Sequence, residues 1–152
     1  MLIAGAGGFV GTCGRYLVGK WAAGMWHGAF PMGTFLVNII GCFIIGLFFG
    51  LLEKAHVMTP GENVLLITGF CGGFTTFSSF ADDMWVLGNK GDWATFALYL
   101  AASVILGVLL VWAGRAIIRK ITSIKNESAQ EKKSCADSFY TTRNKNSTLS
   151  YK

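Results

Sequence analysis

Apolar residues run through the chain in four long stretches, at 2–24, 34–52, 63–87 and 93–113, with polar and charged side chains gathered between them at 27–31, 53–62 and 88–92. Each stretch is long enough to cross a bilayer, because about 20 helical residues rising 1.5 Å each cover a hydrocarbon core of about 30 Å. The first is glycine-rich and interrupted by Arg15 and Lys20, and the second has Asn38 as its one strongly polar side chain. The third is broken in the middle by Gly72-Gly73, and the fourth carries Tyr99 and Ser103. Trp21, Trp26, Trp85, Trp93 and Trp112 fall near the ends of these stretches, where an amphipathic ring favours the headgroup level. The pattern predicts an all-α membrane protein of four transmembrane helices, the third of them broken at Gly72-Gly73.

Composition agrees and relocates the charge. Only 14% of the 152 residues are charged and mean hydropathy is +0.50, against about 25% charged in a soluble domain. The net charge of +5 divides into −1 for residues 1–114 and +6 for residues 115–152, so the basic character belongs to a tail and does not mark a nucleic-acid binder. All 20 glycines and both prolines precede residue 115. The chain therefore reads as a four-helix transmembrane domain at 1–118 and a basic tail at 119–152, too poor in apolar residues to offset ordering and expected to be disordered. Cys13, Cys42 and Cys71 sit in apolar stretches and Cys135 in the tail, a spacing that matches neither a disulfide framework nor a zinc site. No basic region precedes the first apolar run, which argues against a cleaved signal peptide. Lys54, Arg115, Arg119, Lys120 and Lys125 on the side of both termini outnumber Lys20 and Lys90 on the other, which favours both termini in the cytoplasm.

Candidate chemistry is sparse and concentrated. Small residues recur at four-residue spacing as Gly7/Gly11, Gly46/Gly50 and Gly69/Gly73, a spacing that lets helices approach within one chain or between copies. Four thin helices with so few polar groups leave little room for an aqueous path in one copy, so an obligate oligomer is expected. In the third stretch the run from Gly69 to Phe80 puts a glycine pair and two threonines at mid-membrane depth. Unwound backbone there is tolerated only where protein or a cavity satisfies it, and freed carbonyls of broken helices coordinate ions. A backbone cation site and a close glycine contact are both open on this evidence. Phe77 and Phe80 share a helix face, and aromatic rings carry positive edges that suit a small anion, although paired aromatics are more often packing. Thr34 with Asn38, and Tyr99 with Ser103, each place a polar edge on an apolar helix, for an ion path or for interhelical hydrogen bonds.

These residues resemble a known family. Gly69-Phe70-Cys71-Gly72-Gly73-Phe74-Thr75-Thr76-Phe77-Ser78-Ser79-Phe80, with the upstream runs Gly33 to Gly41 and Gly7 to Gly11 leading to Arg15-Tyr16, resemble the Fluc (CrcB) fluoride channels over about residues 1–118. The resemblance implies an antiparallel, dual-topology dimer with two fluoride pores and a central structural Na⁺ held by the Gly72 and Thr75 carbonyls of each subunit. It implies that Phe77 and Phe80 line the pore and that Asn38 positions them and meets the anion. Tyr99, Ser103, Ser79 and Thr34 would belong to the polar track, with Arg15 at a vestibule. A further small hydroxyl of the fourth helix is replaced here by Gly107. The five-to-two charge bias leaves a homodimer and a heterodimer with an oppositely inserted homologue both open. The function implied is passive export of cytoplasmic fluoride down its gradient.

Other classes fare worse. A small multidrug/proton antiporter needs a membrane-embedded carboxylate, and the first, second and fourth stretches hold none, with Asp82 and Asp83 near the end of the third. His27 and His56 lie in separate loops with no nucleophile-base spacing, so an enzyme is not expected. A non-conducting structural tetraspan is the remaining alternative.

Overall fold

The computed structural model describes residues 1–55 and 59–149. The described residues are helical without a strand: α1 (Leu2–Met25), α2 (Met32–Ala55), the single turn α3 (Pro60–Asn63), a π-helical segment (Val64–Cys71), α4 (Gly72–Phe74), α5 (Phe77–Asn89) and α6 (Trp93–Leu149). Three helices are long and apolar enough to cross a membrane by length and composition: Met32–Glu53, Pro60–Asn89 and Trp93–Lys133. The 24-residue α1 is not among them, its hydropathy being diluted by glycine, Arg15 and Lys20.

Local signals set the helix starts. Thr59 and Glu62 form a reciprocal capping box, the Thr59 N–H donating to Glu62 Oε2 at 2.7 Å and the Glu62 N–H to Thr59 Oγ1 at 3.3 Å, with Pro60 just inside the helix where a missing N–H costs nothing. At α6 the Asp92 carboxylate accepts the Thr95 N–H at 3.1 Å, after a turn in which Gly91 takes φ 72°.

The chain divides into two compact units, Met1–Ile118 and Arg119–Lys152. In the first, glycines bring helices together. A Cβ at Gly69 would lie 2.7 Å from the Ala4 carbonyl and one at Gly73 would lie 2.5 Å from that of Gly8, while Gly7 and Gly11 meet the Leu65 and Phe70 carbonyls. α1 thus runs parallel to the π-helical segment and α4 at backbone contact. α2 and α6 match this: Gly46 faces the Val111 backbone, Gly114 faces Phe43 and Leu47, and Gly50 faces Arg115 and Ile118. All three glycine pairs noted in the sequence are used inside the chain.

One expectation is corrected. The third apolar stretch does not break at Gly72-Gly73: Gly72 is helical, with φ −63° and ψ −36°, and the interruption falls at Thr75 (φ −78°, ψ 159°) and Thr76 (φ −148°, ψ 115°). The glycines serve the approach to α1, and the threonines, whose hydroxyls compete for backbone partners, end the helix. Thr75 Oγ1 and the Thr75 N–H both donate to the Cys71 carbonyl, at 2.9 and 3.0 Å. In the second unit the backbone is helical through Leu149. No glycine or proline follows Gly114 to interrupt it, and Lys, Glu, Ala and Gln between 119 and 133 are good helix formers.

Candidate functional site

The interruption at Thr75 and Thr76 leaves backbone groups that no helical ladder satisfies, and the structure answers this with one side chain from α2. The Asn38 carboxamide pairs twice with the Thr76 peptide: Nδ2 donates to the Thr76 carbonyl at 3.0 Å and Oδ1 accepts the Thr76 N–H at 2.8 Å. Thr76 is buried and also caps α5, its Oγ1 accepting the Ser79 N–H at 3.2 Å and donating to Ser79 Oγ at 3.1 Å. Ser78 Oγ lies 3.2 Å from the same oxygen. The break is held by side chains on both sides.

Phe77 and Phe80 follow on the first turn of α5, their ring centroids 6.0 Å apart. Phe77 is 80% exposed, whereas Phe80 packs against the fully buried Tyr99 ring at 5.1 Å. Phe30 meets Tyr99 edge-on at 5.3 Å. The Tyr99 hydroxyl donates to Asp83 Oδ2 at 3.2 Å and hydrogen-bonds the Thr34 side chain. Ser103, one turn beyond Tyr99 on α6, has a buried Oγ with no partner.

Two grooves meet at the break. One, of about 360 Å³, is lined by Asn38, Gly41, Cys42, Thr75, Thr76, Phe77, Phe80 and Ser103 among others. The second, of about 350 Å³, is lined by Arg15, Gly19, Gly33, Thr34, Val37, Thr76 and Ser79. Of the residues singled out in the sequence, Asn38, Phe77, Phe80, Ser103 and Thr75 come together at the first and Thr34, Ser79 and Arg15 at the second. Tyr99 lies behind them, and Gly72 lines neither, having nothing within 4 Å of where a Cβ would stand. Sequence reasoning missed Thr76 as the centre of the arrangement, Asp83 as the Tyr99 partner, and the ion pair between Arg115 Nη1 and Glu53 Oε1 at 3.3 Å. A threonine three residues ahead of Ser79 was a readable cap signal for the first. The other two pairings join residues of different helices.

Because the helix ends at Phe74, the carbonyls of its last turn have no intrahelical N–H, and Thr75 is extended. Cys71 is taken by Thr75, and Gly73 receives only the Thr12 hydroxyl at 3.5 Å. Among the described residues no side chain is seen to donate to the Gly72, Phe74 or Thr75 carbonyl, and an oxygen-only set without a carboxylate is of the kind that suits a hard monovalent cation. No group of three or more His, Cys, Asp or Glu among the described residues could hold a metal ion.

Long apolar helices, glycine-mediated packing and a polar break beside open grooves define an all-helical, multi-pass membrane protein. The chain belongs to the CrcB family: residues 2–115 match the family described as CrcB-like protein, Camphor Resistance (CrcB). It is similar to the fluoride-specific ion channel FluC of Rhizobium etli, 44% identical over 120 residues that cover 79% of this chain and 96% of the relative. The protein of the same name from Chlorobium luteolum is 43% identical over 114 residues, covering 75% of this chain and 88% of that one. That from Nitratidesulfovibrio vulgaris is 38% identical over 114 residues, with 75% and 92% covered. The match to the family stops at 115, so the basic tail lies outside it.

Proposed function

We propose that the protein is a fluoride channel of the bacterial plasma membrane, in which α1 joins the three long apolar helices as a fourth span and two subunits pair in antiparallel orientation. The partner is a second copy or an oppositely inserted homologue. The observation that carries this reading is the interrupted helix clamped by Asn38, with Phe77, Phe80 and Ser103 along one groove. The names of the relatives support the same conclusion.

Fluoride is small and strongly hydrated, so a selective path replaces its water with closely spaced donors, none so strong that the ion stays. Asn38 spends one amide hydrogen on Thr76 and keeps the other. The Ser103 hydroxyl has no partner in the subunit. The ring edges of Phe77 and Phe80 supply weak positive charge on an otherwise apolar wall. Arg15 draws anions to one mouth. Transport is passive, and cytoplasmic fluoride leaves down its gradient. The carbonyls of Gly72 and Thr75 from two subunits would hold one structural Na⁺, which supplies a fixed positive charge at the dimer centre.

The test is efflux from liposomes carrying the purified protein. Fluoride should leave rapidly and chloride should not, and protein prepared with a large organic cation in place of Na⁺ should conduct less. Liposomes that retain fluoride would refute the channel reading. Normal efflux without Na⁺ would remove the cation site alone.

A further inference from the structure

We propose that Arg115 forms a second anion-collecting mouth, at the end of the path opposite Arg15, and that Glu53 attenuates it. The inference rests on the channel reading above and adds a residue to it. A third groove, of about 480 Å³, shares Cys42, Ser103 and Val104 with the groove that holds Asn38 and the phenylalanine pair. It continues past Gly107 to Arg115. Gly107 contributes no side chain to close that passage, and the nearest atom to a Cβ there is the Cys42 sulfur at 3.4 Å.

The polar atoms along this groove are unusual. Among the described residues, two buried side-chain N or O atoms lack a hydrogen-bond partner, Ser103 Oγ and Arg115 Nε. Both residues line the same groove. Buried donors are rarely left without a partner, so two in residues of one groove single that groove out. Both residues carry donors, and Arg115 is a cation whose side chain is 37% exposed at the groove end, so the ligand this groove suits is an anion. The guanidinium is fixed by two other contacts. Nη1 pairs with Glu53 Oε1 at 3.3 Å, and Cζ stands 5.1 Å from the centre of the Phe49 ring. These hold the charge at the groove end while leaving Nε–H unspent.

The ion pair also explains how the mouth can attract fluoride without trapping it. A lone guanidinium would bind a small anion tightly, whereas a neighbouring carboxylate weakens its field, and moderate sites are what permit release. A purely structural pair tying the end of α2 to α6 makes a different prediction, because either single substitution breaks it equally.

Fluoride efflux from liposomes is measured for Arg115→Gln, Arg115→Lys, Glu53→Gln and the double variant, at low ionic strength and again with an impermeant salt added. Arg115→Gln should slow efflux by roughly threefold to tenfold at low ionic strength, converging on wild type as screening shortens the Debye length. Arg115→Lys should stay near wild type, and Glu53→Gln should conduct faster than wild type. Opposite signs for Arg115→Gln and Glu53→Gln establish the electrostatic role; equal slowing of both, insensitive to salt, overturns it. Should Arg115→Gln fail to assemble, Glu53→Gln decides alone, since slower or unchanged efflux overturns the proposal. Wild-type liposomes that hold their fluoride would bring down the channel reading itself, whereas conducting wild type with like-signed variants brings down only this inference.

Discussion

Asn38 is the side chain on which the arrangement at the break turns, and its removal can be reckoned from two distances. Asn38→Leu keeps roughly the volume but takes away both partners of the buried Thr76 peptide, the donor at 3.0 Å and the acceptor at 2.8 Å. Each buried group left unpaired costs about 1–3 kcal/mol, so the clamped state should lose about 2–6 kcal/mol. The lower figure alone multiplies the unclamped population about 30-fold. Asn38→Asp preserves acceptance from the Thr76 N–H but sets an oxygen against the Thr76 carbonyl, and a charged carboxylate at that depth adds about 2.5–3.5 kcal/mol. Thermal unfolding in detergent and fluoride efflux from liposomes should fall together in both variants. Full stability in either variant would mean that the two hydrogen bonds do not hold the break. Lost stability with wild-type efflux would refute the link between the clamp and the path.

The adjacent glycines separate packing from the site: Gly73→Ala meets the Gly8 carbonyl at 2.5 Å and should destabilise the subunit by about 1–3 kcal/mol, while Gly72→Ala, with open space around it, should leave the subunit as stable as before; the reverse order in a denaturation series would contradict the fold. Phe77→Ile and Phe80→Ile should both stop or greatly slow efflux, but only the second should lower subunit stability, because Phe77 is 80% exposed and Phe80 supports Tyr99; wild-type efflux in both would take the rings out of the path. Hydrogen bonds from the Thr95 side chain and backbone hold the Asp92 carboxyl below its ordinary range, so its contribution to the start of α6 is complete above the usual aspartate pKa and is lost as pH falls through the lowered one. The Thr95 amide resonance should titrate below the usual range near about 3.9, and a midpoint at or above it would contradict the cap.

The helical stretches and the loop residues between them were legible because each depends on local composition and helix length. The motif from Gly69 to Phe80 pointed to the right segment but placed the interruption three residues early. Gly-Gly is a local weakness in a helix, yet here both glycines stay helical, and Gly73 makes room for the α1 backbone. What ends the helix is a β-branched pair whose hydroxyls find other partners, Thr75 on Cys71 and Thr76 on Ser79. The bond from Asn38 to Thr76 spans 38 positions and that from Tyr99 to Asp83 spans 16. Such pairings follow from how helices are rotated against each other, which a periodicity of 3.6 leaves undetermined.

The economy of polar groups in the first unit limits how an anion can be met. Thr76 uses its N–H, carbonyl and hydroxyl on Asn38, Ser78 and Ser79, and Tyr99 uses its hydroxyl on Asp83. Groups already engaged in this way hold the break open and cannot also replace water around an ion without releasing a partner. Donors left to spend along the grooves that share Ser103 include the second amide hydrogen of Asn38, the Ser103 hydroxyl and the Arg115 guanidinium. Under the proposed reading, selectivity for a small anion follows from this scarcity. Single donors spaced along an apolar wall that includes the Phe77 and Phe80 edges suit an ion that one hydrogen bond at a time can hold strongly, and a larger, more weakly bonded halide gains too little at each step to leave water.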